Sequence, residues 1–298
     1  MEPSKNKVEG NHHLVSPTAK MVAYMRAQSD IPYSAEIARL TDSENATNEL
    51  LGIDGLEWWM GAMLELRYKS LQALIEKEGI EKGIRNIFEM ASGILPRGIL
   101  MTEREDINYI ETDLPDMAEE KRLLLKELKI DTAGRHLAVE DLNVLEGDKM
   151  RELCAHFPAG PICFANEGLL MYLTVPEKEI VAKTIHAILK ERGGLWITPD
   201  LSNSDRMRDI FIAYPELAVL LEKINKSTGK DMRANAIGND QQIADFFQRL
   251  GFRLTEYRQK DLVDELSVLK DTTSLDDKKK SLVDNVIDSA KVWVLRAI

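Results

Sequence analysis

The chain has 298 residues, 44% of them apolar, and its 39 basic against 50 acidic side chains leave a formal charge of −11. This composition suits a folded enzyme-sized protein and excludes a disordered or collagenous one. A uniformly acidic surface repels phosphate backbones, which argues against nucleic acid as the main partner. No apolar run approaches the roughly eighteen residues of a membrane span, and residues 1–17 are polar, without the apolar core of a signal peptide. The two cysteines, Cys154 and Cys163, supply neither a disulfide framework nor a four-ligand zinc site and point to a reducing cytoplasm.

In chain order, Ser16-Pro17 reads as a helix start, with Ser16 as N-cap and Pro17 at the first helical position. Pro32 breaks that helix, and a second covers 34–40. Residues 41–55 are polar and turn-rich, and a longer helix is predicted from Leu56 to Glu78. The pattern then alternates. Ile84–Ala91, Ile107–Thr112, Leu137–Glu140, Pro161–Asn166 and Leu195–Thr198 read as strands. Helices at Met117–Leu128 and Pro176–Arg192 lie between them, the latter ended by Gly193-Gly194. Strands alternating with helices predict a parallel sheet covered on both faces. A helix-like insert at 203–235, rich in Met, Tyr and charge, interrupts this rhythm. A helix at Gln241–Leu250 and strands at Phe252–Tyr257 and Val292–Ile298 close the chain, and the polar stretch between those strands carries the charge run Asp276–Lys280, read as a solvated face or loop. The expected division is a helical cap over 1–80 and an α/β core over 81–298.

Four segments fall where an open α/β sheet binds ligands, beyond the carboxyl ends of its strands. Glu89-Met90-Ala91-Ser92-Gly93 feeds a strand into a small-residue turn, where Gly93 either lets backbone approach a ligand or simply makes the turn. Asp113 follows Gly93 by twenty residues at the end of the next strand, where an acid accepts from two ribose hydroxyls; Glu111, on the same strand face, is the reserve candidate. Asp141 leaves the third strand, placed to take an adenine amine while Leu142 packs on the ring. Glu167 leaves the fourth, placed to face a cofactor's charged centre.

The runs IFEMASGILPRG, YIETDLPDMAEEKR, VEDLN and NEGLLMYL resemble the leucine carboxyl methyltransferase family, nearest its tetracenomycin-type polyketide O-methyltransferase branch, over roughly residues 15–298. The resemblance implies a class I S-adenosylmethionine-dependent methyltransferase: a Rossmann-like, seven-stranded α/β sheet with the last strand antiparallel, an N-terminal helical region and a helical lid insert. It also implies that Lys20 and Arg67 hold the methionyl carboxylate of S-adenosylmethionine. Gly93 would supply the turn, Asp113 the ribose acid, Asp141 and Leu142 the adenine site, and Glu167 the acid after the fourth strand. One departure is visible: where the family has two glycines in the first turn, this chain has Ala91 and Gly93.

Methyl transfer from a sulfonium asks the protein mainly to align donor and acceptor and to exclude water. A carboxylate acceptor needs no base; a phenol near pKa 10 benefits from one. His12, His13, His136, His156 and His186 all read as ordinary surface residues, so no catalytic base is assigned and no metal is expected. Asp200 and Tyr214 are placed to touch substrate by position alone, and Arg97 either lines the site or pairs with Glu103. The expected acceptor is a polyketide-like small molecule or a protein C-terminal carboxylate. The alternatives are a nicotinamide-binding oxidoreductase, against which about eighty helical residues before the first strand weigh, and a non-catalytic binder of S-adenosylmethionine.

Overall fold

The computed structural model describes residues 16–51, 57–201, 203–270 and 277–298. Seven strands form one sheet in the order β3-β2-β1-β4-β5-β7-β6. They are β1 (Asn86–Met90), β2 (Asn108–Asp113), β3 (Leu137–Asp141), β4 (Ile162–Asn166), β5 (Gly194–Thr198), β6 (Phe252–Arg258) and β7 (Lys291–Ala297). The first five pair in parallel, and β7 runs antiparallel to both β5 and β6. Every residue of β1 and β4 is buried, as strands covered on both faces must be, whereas edge strand β6 exposes Arg253, Thr255, Glu256 and Arg258.

The period of two divides the core. Phe88, Ile110, Ile162 and Phe164 join one apolar cluster, and their neighbours Ile87, Tyr109, Cys163 and Ala165 join another on the opposite face. Helices α8 (Val175–Arg192) and α11 (Asp240–Arg249) cover the first face with Val181, Ile185, Phe246 and Phe247. The second is covered by α4 (Glu57–Leu74), α5 (Arg97–Met101) and α6 (Pro115–Glu127) through Leu71, Leu74, Ile99 and Leu125. Local signals set these limits. Thr174 and Glu177 close a capping box at the start of α8, with Pro176 in its first turn, and Gly193 ends it at φ 75°.

Two stretches depart from expectation. Residues 41–55, read as polar turns, contain a further helix, α3 (Ser43–Leu51). It forms because it packs across α1 (Ser16–Arg26), with Thr47 buried and bonded to the Ser43 carbonyl, a tertiary contact that no local pattern announces. The charge run lies within and just before α12 (Asp277–Ser289), whose apolar side packs Leu282 and Val286 on Tyr214 and Leu217. Helix α2 (Ser34–Leu40) follows α1 as expected, and α7 (Gly147–Ala155) joins β3 to β4.

The insert is a helical hairpin, α9 (Ser204–Ala213) and α10 (Pro215–Thr228), whose two ends meet at its base. Asn203 and Ile237 form a bridge, and the Ser204 amide donates to the Ile237 carbonyl at 3.2 Å. Helix α10 returns over the amino-terminal helices, where Leu220 packs with Met21, Met25, Met60 and Leu64.

The loop before α12 is anchored by one acid. Fully buried Glu65 on α4 accepts from the Ser267 amide at 2.8 Å, its hydroxyl at 2.7 Å and the Val268 amide at 3.0 Å, and it pairs with Lys69. Glu65→Ala orphans these donors and is expected to cost about 3 kcal/mol. Urea unfolding measures it, and a loss below about 1 kcal/mol would contradict the anchoring role.

Candidate active site

The strand order reverses direction between β1 and β4, so a crevice opens at their carboxyl ends. There the structure has a cavity of about 610 Å³. Its sheet side is formed by Ala91–Leu95 after β1, Asp113 and Leu114 at the end of β2, Leu142–Leu145 after β3 and Glu167–Leu169 after β4. Its roof comes from α1, α4, α9 and α10.

The turn after β1 takes a backbone form that suits a close approach. Ala91 and Gly93 both have positive φ, 51° and 52°, and nothing but Ala19 lies within 4 Å of where a Gly93 side chain would begin. Glycine adopts this geometry freely; Ala91 adopts it at a cost of about 1 kcal/mol. Asp113 fixes the turn. One carboxylate oxygen accepts from the Gly93 amide at 2.7 Å and the other from the Leu114 amide at 2.7 Å. Burial raises the Asp113 pKa, and these two amides work against that rise. Each oxygen keeps a lone pair that a ligand hydroxyl can use.

The charged end of the cavity centres on Glu167. Its carboxylate is almost wholly buried and accepts from Arg26 at 2.8 Å, Arg67 at 3.2 Å and Arg97 at 2.7 Å. Arg97, also fully buried, reaches on to Glu89 in the middle of β1, and the Tyr109 hydroxyl donates to Glu89 at 2.8 Å. The Tyr68 ring lies within cation–π range of two of the cations, 4.4 Å from Arg97 and 5.3 Å from Arg26. Burial by itself pushes the Glu167 pKa up; the three guanidiniums overcome it and hold the carboxyl at about 2. Three cations against Glu167 and Glu89 leave one positive charge in excess. Arg26 and Arg67 carry that excess to the cavity wall, and the terminal fork of Arg67 makes no hydrogen bond to a described residue.

Of the seven residues expected to bind cofactor, Arg67, Gly93, Asp113, Leu142 and Glu167 line this one cavity. Lys20 and Asp141 do not. Lys20 pairs with Glu120 at 3.3 Å, and Asp141 pairs with Lys149 at 2.6 Å on the partly exposed flank of β3. Arg26, six residues beyond Lys20 on α1, sits in the charged centre. Glu167 faces that centre through protein cations, not alone. Arg97 pairs with Glu89 and Glu167, not Glu103.

Asp200 does not line the cavity: it is buried, accepts from the Gly168, Leu169 and Leu170 amides and from Asn166, and so holds the loop that carries Glu167. Tyr214 packs among Leu217, Leu282 and Val286. His186 is half-buried: its ring packs on Phe252 at 5.3 Å with Nε2 buried. His12 and His13 lie outside the described residues. The sequence signal for the missed cluster was Glu89 itself: an acid inside an apolar strand demands a buried cation, and Arg97 is eight residues away.

Sheet order, reversed last strand and a switch-point cavity with a surplus cation define an S-adenosylmethionine-dependent methyltransferase. The chain matches the leucine carboxyl methyltransferase family over residues 19–186, more than half its length, and it belongs to that family. This sets aside the nicotinamide-binding reading. No curated protein is similar enough in sequence to count as a relative. Solved structures offer remote likenesses. An O-methyltransferase family protein from Burkholderia thailandensis is 12% identical, with 98% of this chain and 74% of that one covered and a TM-score of 0.49. A candidate O-methyltransferase from Nostoc punctiforme is 10% identical over 82% of this chain, which spans 61% of that protein, at a TM-score of 0.46. Magnesium protoporphyrin IX methyltransferase from Synechocystis, with bound SAH (S-adenosylhomocysteine), is 10% identical over 84% and 92% of the two chains at 0.44. No described helix is long and apolar enough to cross a membrane, and no described cluster of His, Cys, Asp or Glu could hold a metal.

A depressed carboxyl pKa is a stability statement. Unfolded, Glu167 titrates near its ordinary value of about 4.3; folded, near about 2. Its contribution is therefore complete above pH 5 and is lost as pH falls toward 2. Glu167→Gln, which leaves buried guanidiniums facing a neutral amide, is expected to cost about 3–5 kcal/mol at pH 6. The gap to the unaltered protein should narrow by about 1 kcal/mol at pH 3.5. Denaturant titrations at both pH values test this, and a gap independent of pH contradicts the assignment.

Proposed function

We propose that the enzyme transfers the methyl group to an oxygen of a small apolar molecule, and that the oxygen arrives already ionised. S-adenosylmethionine, when bound, supplies a methyl carbon activated by a sulfonium. The chain's residues fit that cofactor. Arg67 and Arg26 would take the methionyl carboxylate with their surplus charge, a task that suits the planar guanidinium fork. The Ala91–Gly93 turn would let backbone pass close to the cofactor, Asp113 would accept from the ribose hydroxyls, and Leu142 would pack on the adenine. Lys20 and Asp141 are left out of this set because each is paired away from the cavity.

The observation that carries the acceptor reading is the absence of a free proton acceptor among the described lining residues. Asp113 is held by two amides and Glu167 by three arginines. Glu177 is tied into the capping box of α8. Tyr172, whose pKa burial raises, bonds Thr18. No described histidine lines the cavity. The remaining wall is apolar, with Met21, Met60, Met63, Trp59, Phe211 and Leu217 from the roof. Such a wall takes an apolar body, and chemistry without a base favours a carboxylate or an acidic hydroxyl. A volume of about 610 Å³ lies in the range of small-molecule sites. The two buried, free thiols of Cys154 and Cys163 support a reducing, cytoplasmic setting.

Two measurements test this reading. Asp113→Ala should weaken S-adenosylhomocysteine binding at least about tenfold with the fold intact, because charge-assisted bonds are lost; unchanged affinity removes Asp113 from the site. With labelled cofactor and an acceptor panel, a carboxylic acid should be methylated at a rate level within about threefold between pH 7 and 9. A simple phenol, ordinary pKa about 10, should gain about tenfold per pH unit over that range. A phenol rate independent of pH would reveal a base and overturn the proposal.

A further inference from the structure

Six charged residues line the cavity: Arg26, Arg67, Asp113, Glu167, Glu177 and Lys230. Five are committed to the partners described above. Lys230 makes no ion pair or hydrogen bond with a described residue, although the protein is strongly acidic. It is exposed, and it lies close enough to Glu177 to help lower that carboxyl's pKa.

The segment that carries Lys230 is held in place. Gly229 ends α10 in the left-handed conformation, φ 65°, and turns the chain back across the cavity. The Met232 amide donates to the Asn225 side chain at 3.2 Å, and the Asn235 side chain donates to the Met171 carbonyl at 3.1 Å. Buried Lys178 on α8 donates to both the Asn235 and Leu173 carbonyls, joining the end of the insert to the loop after β4. Both joined segments line the cavity, through Met171, Tyr172 and Leu173 on one side and Thr228, Lys230 and Met232 on the other. Lys230 is therefore an exposed cation on a backbone held at the wall of a largely apolar cavity.

We infer that Lys230 determines acceptor specificity: it selects apolar molecules that carry an anionic group, by meeting that charge at the cavity wall. The inference rests on the methyl-transfer reading above and goes beyond it by naming the residue that reads acceptor charge. The alternative is a solvated lysine with no influence on what enters. A lysine suits this task because its compact charge on a flexible stem adapts to differently placed anions. Its effect is screened by salt, as for any exposed charge.

The test uses the complex with S-adenosylhomocysteine, whose neutral sulfur removes the sulfonium's own attraction for an anion. Calorimetry compares 3-hydroxy-2-naphthoate with 3-hydroxy-2-naphthamide, which share an apolar body and differ in charge. The intact protein at low salt should bind the acid at least about fivefold more tightly than the amide. Lys230→Ala should bring the two within about twofold, and Lys230→Glu should reverse the order. Cofactor affinity should be unchanged in both variants, and 0.5 M salt should erase the preference of the intact protein. The same preference in Lys230→Ala, no preference in the intact protein, or binding of neither ligand beside normal cofactor binding overturns the inference. Failure to bind S-adenosylhomocysteine at all overturns the cofactor reading instead.

Discussion

The site depends on one constraint: Glu167 and Glu89 are buried acids that must be met by cations from within. A lone carboxylate in such surroundings would protonate or destabilise the fold. Three arginines from three different helices meet the demand, Arg26 from α1, Arg67 from α4 and Arg97 from α5. The same contacts bring the amino-terminal helices onto the carboxyl edge of the sheet, so a charge requirement and the placement of the roof are one problem with one solution. Tyr68, in cation–π range of two guanidiniums, and Asp200, holding the loop of Glu167, keep the geometry.

From this centre the cavity divides by chemistry. Near the cluster it is polar and cationic, matched to the carboxylate end of an amino-acid-bearing cofactor. Toward α9 and α10 it is apolar and rich in methionine, whose unbranched, polarizable side chains adapt to varied shapes. In the proposed reaction, with the described acids of the cavity already committed to protein donors, the residues act by alignment and by exclusion of water.

The alternation of strands and helices was legible in the sequence because central parallel strands are short apolar runs bounded by turns. All seven strands were expected close to where they lie. Asp113 and Gly93 were legible too, since the glycine turn and the acid twenty residues on are local features of successive strands; the structure adds that they bond each other. Arg26 was not legible. Its role depends on the angle at which α1 crosses the sheet edge, and Lys20 on the same helix offered an equal charge. For Asp141 the local pattern does not fix orientation: an acid leaving a strand fits it whether it turns to the cavity or, as here, pairs with Lys149. Helix α3 escaped notice because its stability comes from packing on α1, not from an apolar stripe of its own.

The central claim is that the cluster around Glu167 holds one uncompensated positive charge for the cofactor's carboxylate. Calorimetry with S-adenosylhomocysteine and 5′-methylthioadenosine, which lacks the amino-acid end, tests it most directly in the intact protein and in Arg67→Leu. The account predicts that the intact protein prefers S-adenosylhomocysteine by about a hundredfold, the worth of two charge-assisted bonds. In Arg67→Leu that preference should fall below about tenfold, with 5′-methylthioadenosine bound as before. A preference that survives the substitution, or an equal loss of affinity for both ligands, would contradict it.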